Sequence, residues 1–347
     1  MPWRVSTYRY FELFNHKIMN KEQILNISKT IIRLFVGVVF VGAAISKLLT
    51  IDHFEIYIYS FHIFGYGLTT VLSRMLIAAE ILMGLGMIFK IYYKEIWSLT
   101  MLALIGFTLF LIYVIIFRND DNCHCFGDLI RLDPKESIVK NVVSMLLLLL
   151  IRKENSHDYR PRLKKWLVGI SIAVAIILPF VVFPMDTLYN MIASKDNNIN
   201  TVEWEGLQND QKYLQLLRFE VVNDSTYVQH DSLAVLDLSD DTYIVNFISA
   251  GCDFCRLGAN KLSMIIDHNN IDKRHLKFLV WGYDADIVKF MDDTNTRGYE
   301  FWFLNPIKSL NITYGKFPTY VWFDHGNIIS SGDLRDLDEG KIVKFLR

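Results

Sequence analysis

The chain holds four cysteines, and they fall in two close pairs, Cys123-His124-Cys125 and Cys252-Asp253-Phe254-Cys255. Two neighbouring thiols can exchange disulfides, with a thiolate as the attacking species, or they can ligate a soft metal ion. The continuous apolar stretch Thr242–Ser249 runs directly into the second pair, and helical spacing of apolar residues resumes from Leu257 to Ile266. Cys252 therefore stands at a helix start, where unpaired N–H groups and a partial positive charge favour a thiolate. Cys255, one turn inside, is placed to resolve a mixed disulfide. Asp253 opposes the thiolate by like charge. The rival readings are a permanent disulfide or half of a zinc site, and a four-cysteine zinc site would draw on both pairs.

Cys123 and Cys125, one residue apart, can close a small strained disulfide, and strain makes a disulfide more oxidising. His124 between them is a candidate proton donor or acceptor near neutral pH. Cys, His and Cys are also soft or borderline ligands, so a copper or zinc site is the alternative, and a structural link is the third reading.

These pairs must be held by two very different halves. Five stretches approach the roughly 20 apolar residues that cross a hydrocarbon core of about 30 Å: Thr30–Leu49, Thr69–Phe89, Ile96–Phe117, Ser137–Ile151 and Trp166–Phe183. No small-residue cleavage site follows the polar and aromatic first thirty residues, so the first span is expected to serve as an uncleaved anchor. Arg4, Arg9, Lys17, Lys21 and Lys29 precede it. Lys90 and Lys94 lie between spans two and three, and Arg152, Lys153, Arg160, Arg162, Lys164 and Lys165 between spans four and five. By the Lys/Arg bias these segments are cytoplasmic, and five spans then bring both cysteine pairs to the outer face. Within the spans, Lys47, Arg74 and Glu80 are costly charges that need partners; Glu80 is expected to pair with Arg74 or Lys47, or to handle a proton. His53 and His62, with Tyr57, Tyr59 and Tyr66, read as an interfacial aromatic belt, and Pro179 as a kink.

From Asn197 the pattern alternates between strand and helix: strands at Thr242–Ser249, Lys277–Trp281 and Glu300–Leu304, a helix at Asp284–Asp292, a hairpin of Tyr320–Phe323 and Ile328–Ser331, and a closing helix at Glu339–Leu346. A buried strand entering C-x-x-C at a helix start, with Phe317-Pro318-Thr319 before a hairpin, resembles the thioredoxin fold over roughly Ser232–Arg347. The resemblance implies that Pro318 is cis and sits against the C-x-x-C. The Trp that often precedes the first cysteine is replaced by Gly251. In the membrane half, Gly42, Ser46-Lys47-Leu48, Glu80 and Cys123-His124-Cys125-Phe126-Gly127 resemble the MauE/DoxX-like family over about Thr30–Ile151. MauE is a methylamine utilisation protein associated with disulfide formation in its partner enzyme.

The expected organisation is a cytoplasmic tail (1–29), a four-helix MauE/DoxX-like membrane domain (30–151), a basic cytoplasmic loop (152–165), a fifth transmembrane helix (166–184), a tether or start of the soluble domain (185–231) and an α/β thioredoxin-fold domain (232–347). Hydrophobic residues at 52% and aromatic residues at 14% exclude disorder. A net charge of -1 offers nothing to nucleic acid. The functional expectation is a thiol–disulfide oxidoreductase of the bacterial inner membrane. Cys252/Cys255, on the periplasmic side, exchange with Cys123/Cys125, which pass electrons to a membrane quinone. Its partners are envelope protein thiols or disulfides and the lipid bilayer, with no tightly bound cofactor. No cysteine lies in a span or on the inner face, which argues against a relay of reductant across the membrane. The alternative is a non-enzymatic assembly or metal-delivery factor.

Overall fold

The computed structural model describes residues 21–118, 120, 122–152, 161–192, 199–223 and 225–347. The chain divides into two compact units, one of Met1–Phe54 with Arg74–Phe183, the other of Glu55–Ser73 with Pro184–Arg347. The basic residues expected before Lys21, and those from Lys153 to Arg160, lie outside the described residues.

The first unit is helical: α1 (Lys21–Leu49), the start of α2 (Ile51–Tyr59), most of α3 (Tyr66–Phe89), α4 (Tyr93–Phe117), a short strand β1 (Cys125–Asp128), α5 (Pro134–Ile151) and α6 (Pro161–Ile177). Among the described residues four helical segments are long and apolar enough to cross a membrane: Gln23–Leu49, Tyr66–Phe89, Tyr93–Phe117 and Lys165–Val182. The fourth expected span, Ser137–Ile151, is not among these four. Helix α5 has 18 residues, about 27 Å of rise, and carries Lys135, Glu136 and Lys140 near its start. It is instead seated on α4. Tyr93 donates its hydroxyl to the Ile151 carbonyl at 2.6 Å, and Trp97 Nε1 donates to the Leu148 carbonyl at 2.8 Å. The two helices are therefore antiparallel, and α5 ends level with the start of α4. Pro179 converts the end of α6 into a π-helical turn, Leu178–Val182, since it cannot supply a helical N–H.

The second unit is built on a seven-stranded sheet ordered β3-β2-β6-β5-β4-β7-β8. Its strands are β2 (Leu214–Val222), β3 (Ser225–Asp231), β4 (Thr242–Ser249), β5 (Leu276–Trp281), β6 (Glu300–Leu304), β7 (Thr319–Asp324) and β8 (Asn327–Gly332). Strands β4, β5 and β6 run parallel and the remaining pairs antiparallel. Helices α9 (Asp253–His268), α10 (Asp284–Asp293) and α12 (Glu339–Leu346) cover one face, and α8 (Thr201–Asn209) with α11 (Pro306–Thr313) the other. Covered on both faces, β4 is almost wholly apolar between its ends, with Asn246 the one polar side chain there. This is the thioredoxin fold, with the cysteine-bearing strand beside a parallel neighbour and an antiparallel hairpin.

Residues 185–231, expected as a tether or the start of the soluble domain, hold α7 (Asp186–Ile192), α8 and the β2–β3 hairpin. The hairpin escaped notice because it is the outer edge of the sheet, half-exposed and polar along β3. The 55–73 segment also departs from expectation. Tyr59 and Tyr66 are buried in the soluble core with Ile56, and His62 stacks on His268 at 5.1 Å, so these residues do not form an interfacial belt. Glu339 anchors the segment: it accepts from the Tyr59 hydroxyl at 2.8 Å, the Tyr66 N–H at 2.6 Å and Asn269 at 2.9 Å. Lys261, only 2% exposed, is held by Asp186 at 3.0 Å and by the Tyr66 ring at 4.2 Å.

Burial opposes ionisation of Glu339, yet the donations from Asn269, the Tyr66 N–H and Tyr59 outweigh it and hold the carboxyl below its ordinary range. Glu339→Ala is expected to destabilise the soluble unit by about 1–3 kcal/mol, read as a lower unfolding midpoint of the full chain in detergent. The folded carboxyl is more acidic than the unfolded one. Its contribution is therefore present above the ordinary carboxylate pKa and fades as pH falls through the folded value. The gap between wild type and variant is expected to close on acidification through that range.

Candidate active site

Strand β4 ends at Ser249, and the turn that follows is closed by Ala250 N–H to the Trp281 carbonyl at 3.0 Å and Cys252 N–H to the Ser249 carbonyl at 3.1 Å. Cys252 is the N-cap of α9, and its sulfur accepts the Cys255 N–H at 3.3 Å. Cys252 is partly exposed and Cys255 fully buried, both as free thiols. The Cys255 thiol is the main support of a Cys252 thiolate, helped by the Cys255 and Phe254 N–H groups; burial and Asp253 oppose it, and the pKa falls to about 6. Burial, then the Cys252 charge, pushes the Cys255 thiol far up. Asp253 points outward and meets Arg256 at 3.4 Å. The Phe317–Pro318 bond is cis. It directly precedes Thr319, which pairs with Phe247, so Pro318 lies at the end of the sheet from which Cys252 emerges.

The first pair sits in a turn that folds onto α1. Ser46 donates to the Phe126 carbonyl, and Asp128 N–H donates to Thr50 Oγ1 at 3.1 Å. Gly127 makes this seat possible. Its φ is +62°, and a Cβ there would stand 2.3 Å from Thr50 Oγ1 and 2.9 Å from the Ser46 carbonyl oxygen. Cys123 is buried, with its sulfur 2.8 Å from Ser137 Oγ and accepting the Cys125 N–H at 3.3 Å. The Cys125 thiol is the main stabiliser of a Cys123 thiolate; Ser137, the Cys125 N–H and Lys140 add to it against burial, and the pKa falls to about 6. Cys125, partly exposed, is pushed far up, first by its bond to Cys123 and then by burial. His124, at φ 51°, is half-buried, and desolvation lowers its pKa to about 4.

The charged residues sort themselves by partner. Lys47 pairs with Glu80, both buried, and its ammonium lies 5.5 Å from the Phe54 ring centre and 5.8 Å from that of Phe107. Arg74 donates to the Phe183 carbonyl at 3.0 Å. Sequence reasoning overlooked Arg33, buried in α1 and donating to the Met87 and Ile88 carbonyls. It also overlooked Ser137 and Lys140, which follow the Asp133-Pro134 helix start and owe their role to α5 folding back toward Cys123. Among the described residues no cluster of three or more His, Cys, Asp or Glu stands at metal-ligand spacing, which leaves the copper or zinc reading without a ligand set.

Fold and site together define a chain with several apolar membrane-length helices and a thioredoxin-fold domain that carries a dithiol at a helix start. Residues 25–152 match the family described as methylamine utilisation protein MauE. Protein TlpB of Flavobacterium psychrophilum is 26% identical over 273 residues, covering 69% of this chain and 72% of that protein. Two solved structures also align. The thioredoxin domain of a thiol-disulfide oxidoreductase from Bacteroides vulgatus does so at 12% identity and a TM-score of 0.28, covering 45% of this chain and 100% of that one. A secreted Mycobacterium tuberculosis disulfide oxidoreductase homologous to E. coli DsbE does so at 13% and 0.26, covering 40% of this chain and 97% of that one.

Alkylation of the reduced chain across a pH series, read by mass spectrometry, is expected to give Cys252 and Cys123 midpoints of about 6. Cys255 should stay unlabelled through neutrality. Equal midpoints within each pair would contradict the asymmetry. Gly127→Ala is expected to unseat β1 from α1 at a cost of about 1–3 kcal/mol, seen as a lower melting temperature and faster labelling of Cys123.

Proposed function

We propose that the chain oxidises protein thiols in the cell envelope, passing two electrons from Cys252/Cys255 to Cys123/Cys125 and from there to a membrane quinone. The observation that carries this reading is the matched geometry of the two pairs: in each, one sulfur accepts the backbone N–H of the other cysteine, and each offers one partly exposed sulfur.

A client thiolate attacks Cys252 of the oxidised soluble pair and releases Cys255. The client's second thiol then frees Cys252, leaving the client oxidised and the soluble pair reduced. For recharging, the Cys252 thiolate attacks Cys125, the partly exposed sulfur of the membrane disulfide. Cys123 leaves as the thiolate that Ser137 and the Cys125 N–H stabilise, and a sulfur of low pKa is the better leaving group. Cys255 then attacks Cys252, the Cys252–Cys125 bond breaks, and the membrane pair ends as a dithiol.

A quinone, when bound, takes up two electrons and two protons. Lys47, Glu80, Phe54 and Phe107 are the residues that would hold its head group: two aromatic rings flank an ammonium. One Glu80 oxygen is engaged by Lys47 while the other is buried without a partner, open to a proton. Sidedness in this reading rests on the Lys/Arg bias of the sequence.

The test is a trap in the full chain. Cys255→Ser with Cys123→Ser, treated with a mild thiol oxidant such as diamide, should accumulate a Cys252–Cys125 disulfide, identified by non-reducing peptide mapping. No cross-link with both units folded, or a cross-link only to Cys123 when Cys125→Ser is used, contradicts the relay as written.

A further inference from the structure

Two buried polar side chains on the sheet face packed by α9 have no hydrogen-bond partner among the described residues. Asn246 lies on β4 six residues before Cys252, is 0% exposed, and neither its Oδ1 nor its Nδ2 is hydrogen-bonded. Tyr320 on β7 is its cross-strand partner, also 0% exposed, with its hydroxyl likewise unbonded. Directly opposed residues of an antiparallel pair share a face. That face is the one packed by Cys255 and α9, because Tyr320 clusters with Ile244, Ile248, Cys255 and Ala259. The phenol tip comes so near α9 that a Cβ at Gly258, three residues past Cys255, would stand 1.9 Å from the hydroxyl oxygen. Leaving such groups unpaired is costly, and their opposition on one face near the dithiol calls for a reason.

Burial is the main obstacle to ionisation of the phenol, and the ionisable groups that face it, Cys255, Cys252 and Asp333, oppose it further whenever they carry negative charge. Tyr320 thus remains a neutral donor and does not serve as a base. The dithiol gives that donor nothing to bind. Negative charge reaches Cys255 only during exchange, when it leaves as a thiolate or attacks as one. An interaction missing in the resting state and made when charge develops lowers a barrier.

We propose that Tyr320, with Asn246 behind it, donates a hydrogen bond to the Cys255 thiolate in each step where that thiolate forms. In the resolving step Cys255 gives its proton to water and its thiolate attacks Cys252. The Cys252–Cys255 bond forms, the bond from Cys252 to the partner sulfur breaks, and the partner departs as a thiolate that takes up a proton. The inference rests on the reading of Cys252 and Cys255 as an exchanging dithiol.

The test uses the full chain in detergent, with Cys123→Ser and Cys125→Ser to isolate the soluble pair. The reduced protein is mixed with glutathione disulfide, and the two glutathione releases are timed separately. The first is capture by Cys252 and the second is resolution by Cys255. Tyr320→Phe should slow resolution by about tenfold or more relative to capture, with glutathionylated Cys252 accumulating. Gly258→Ala, which displaces the hydroxyl without removing it, should do the same and decides the matter if Tyr320→Phe does not fold. Resolution that keeps pace with capture in the folded variant overturns the proposal. If the parent chain is not glutathionylated at Cys252, the exchange reading itself fails, a different outcome from an unaltered Tyr320→Phe.

Discussion

A backbone N–H aimed at a sulfur a few residues earlier in the chain organises both reactive centres. The Cys255 N–H meets the Cys252 sulfur at 3.3 Å, and the Cys125 N–H meets the Cys123 sulfur at the same distance. A hydrogen bond to an ionised group is stronger than one to a neutral group, so each contact favours charge on one sulfur over the other. The surroundings that provide it differ. A helix start, fed by a buried strand, supplies it at Cys252. At Cys123 it comes from a tight turn with left-handed backbone at His124 and Gly127. Two unrelated pieces of backbone thus arrive at the same division of labour between an ionised and a protonated sulfur.

Burial sharpens the division and sets which sulfur a partner reaches. In the soluble pair the ionised sulfur is the accessible one, which suits attack on a disulfide. In the membrane pair the ionised sulfur is the buried one, which suits departure from a disulfide. The seat of the membrane pair is built from Ser46, Thr50 and Gly127, and Lys47 and Glu80 form a charged pair within the same helical unit. A buried ion pair is a weak source of stability, so its position inside an apolar bundle is better understood through proton and charge handling.

Much of this was legible in the sequence. The strand into C-x-x-C, the parallel strands and the hairpin after Pro318 were readable because central elements are strongly patterned and Gly, Pro and Cys punctuate them. The pairing of Lys47 with Glu80 was one of two options, settled by packing. The β2–β3 hairpin was not legible, since β3, the edge strand, is largely polar and exposed. Nor was the incorporation of Tyr59 and Tyr66 into the soluble core, because an exposed aromatic belt and a buried aromatic cluster have the same composition. The contact of Ser137 with Cys123 depends on closure of the loop between them, fixed by the Cys123 N–H to the Leu132 carbonyl. Local pattern carries no trace of it.

The central claim is that the soluble dithiol is recharged through the membrane dithiol. The most direct measurement follows the redox state of all four cysteines, by differential alkylation and mass spectrometry, in membranes containing the fully reduced protein after a soluble quinone is added. The account predicts that Cys123/Cys125 oxidise first and Cys252/Cys255 follow, and that Cys125→Ser leaves the soluble pair reduced. Oxidation of Cys252/Cys255 at an undiminished rate in Cys125→Ser would contradict it.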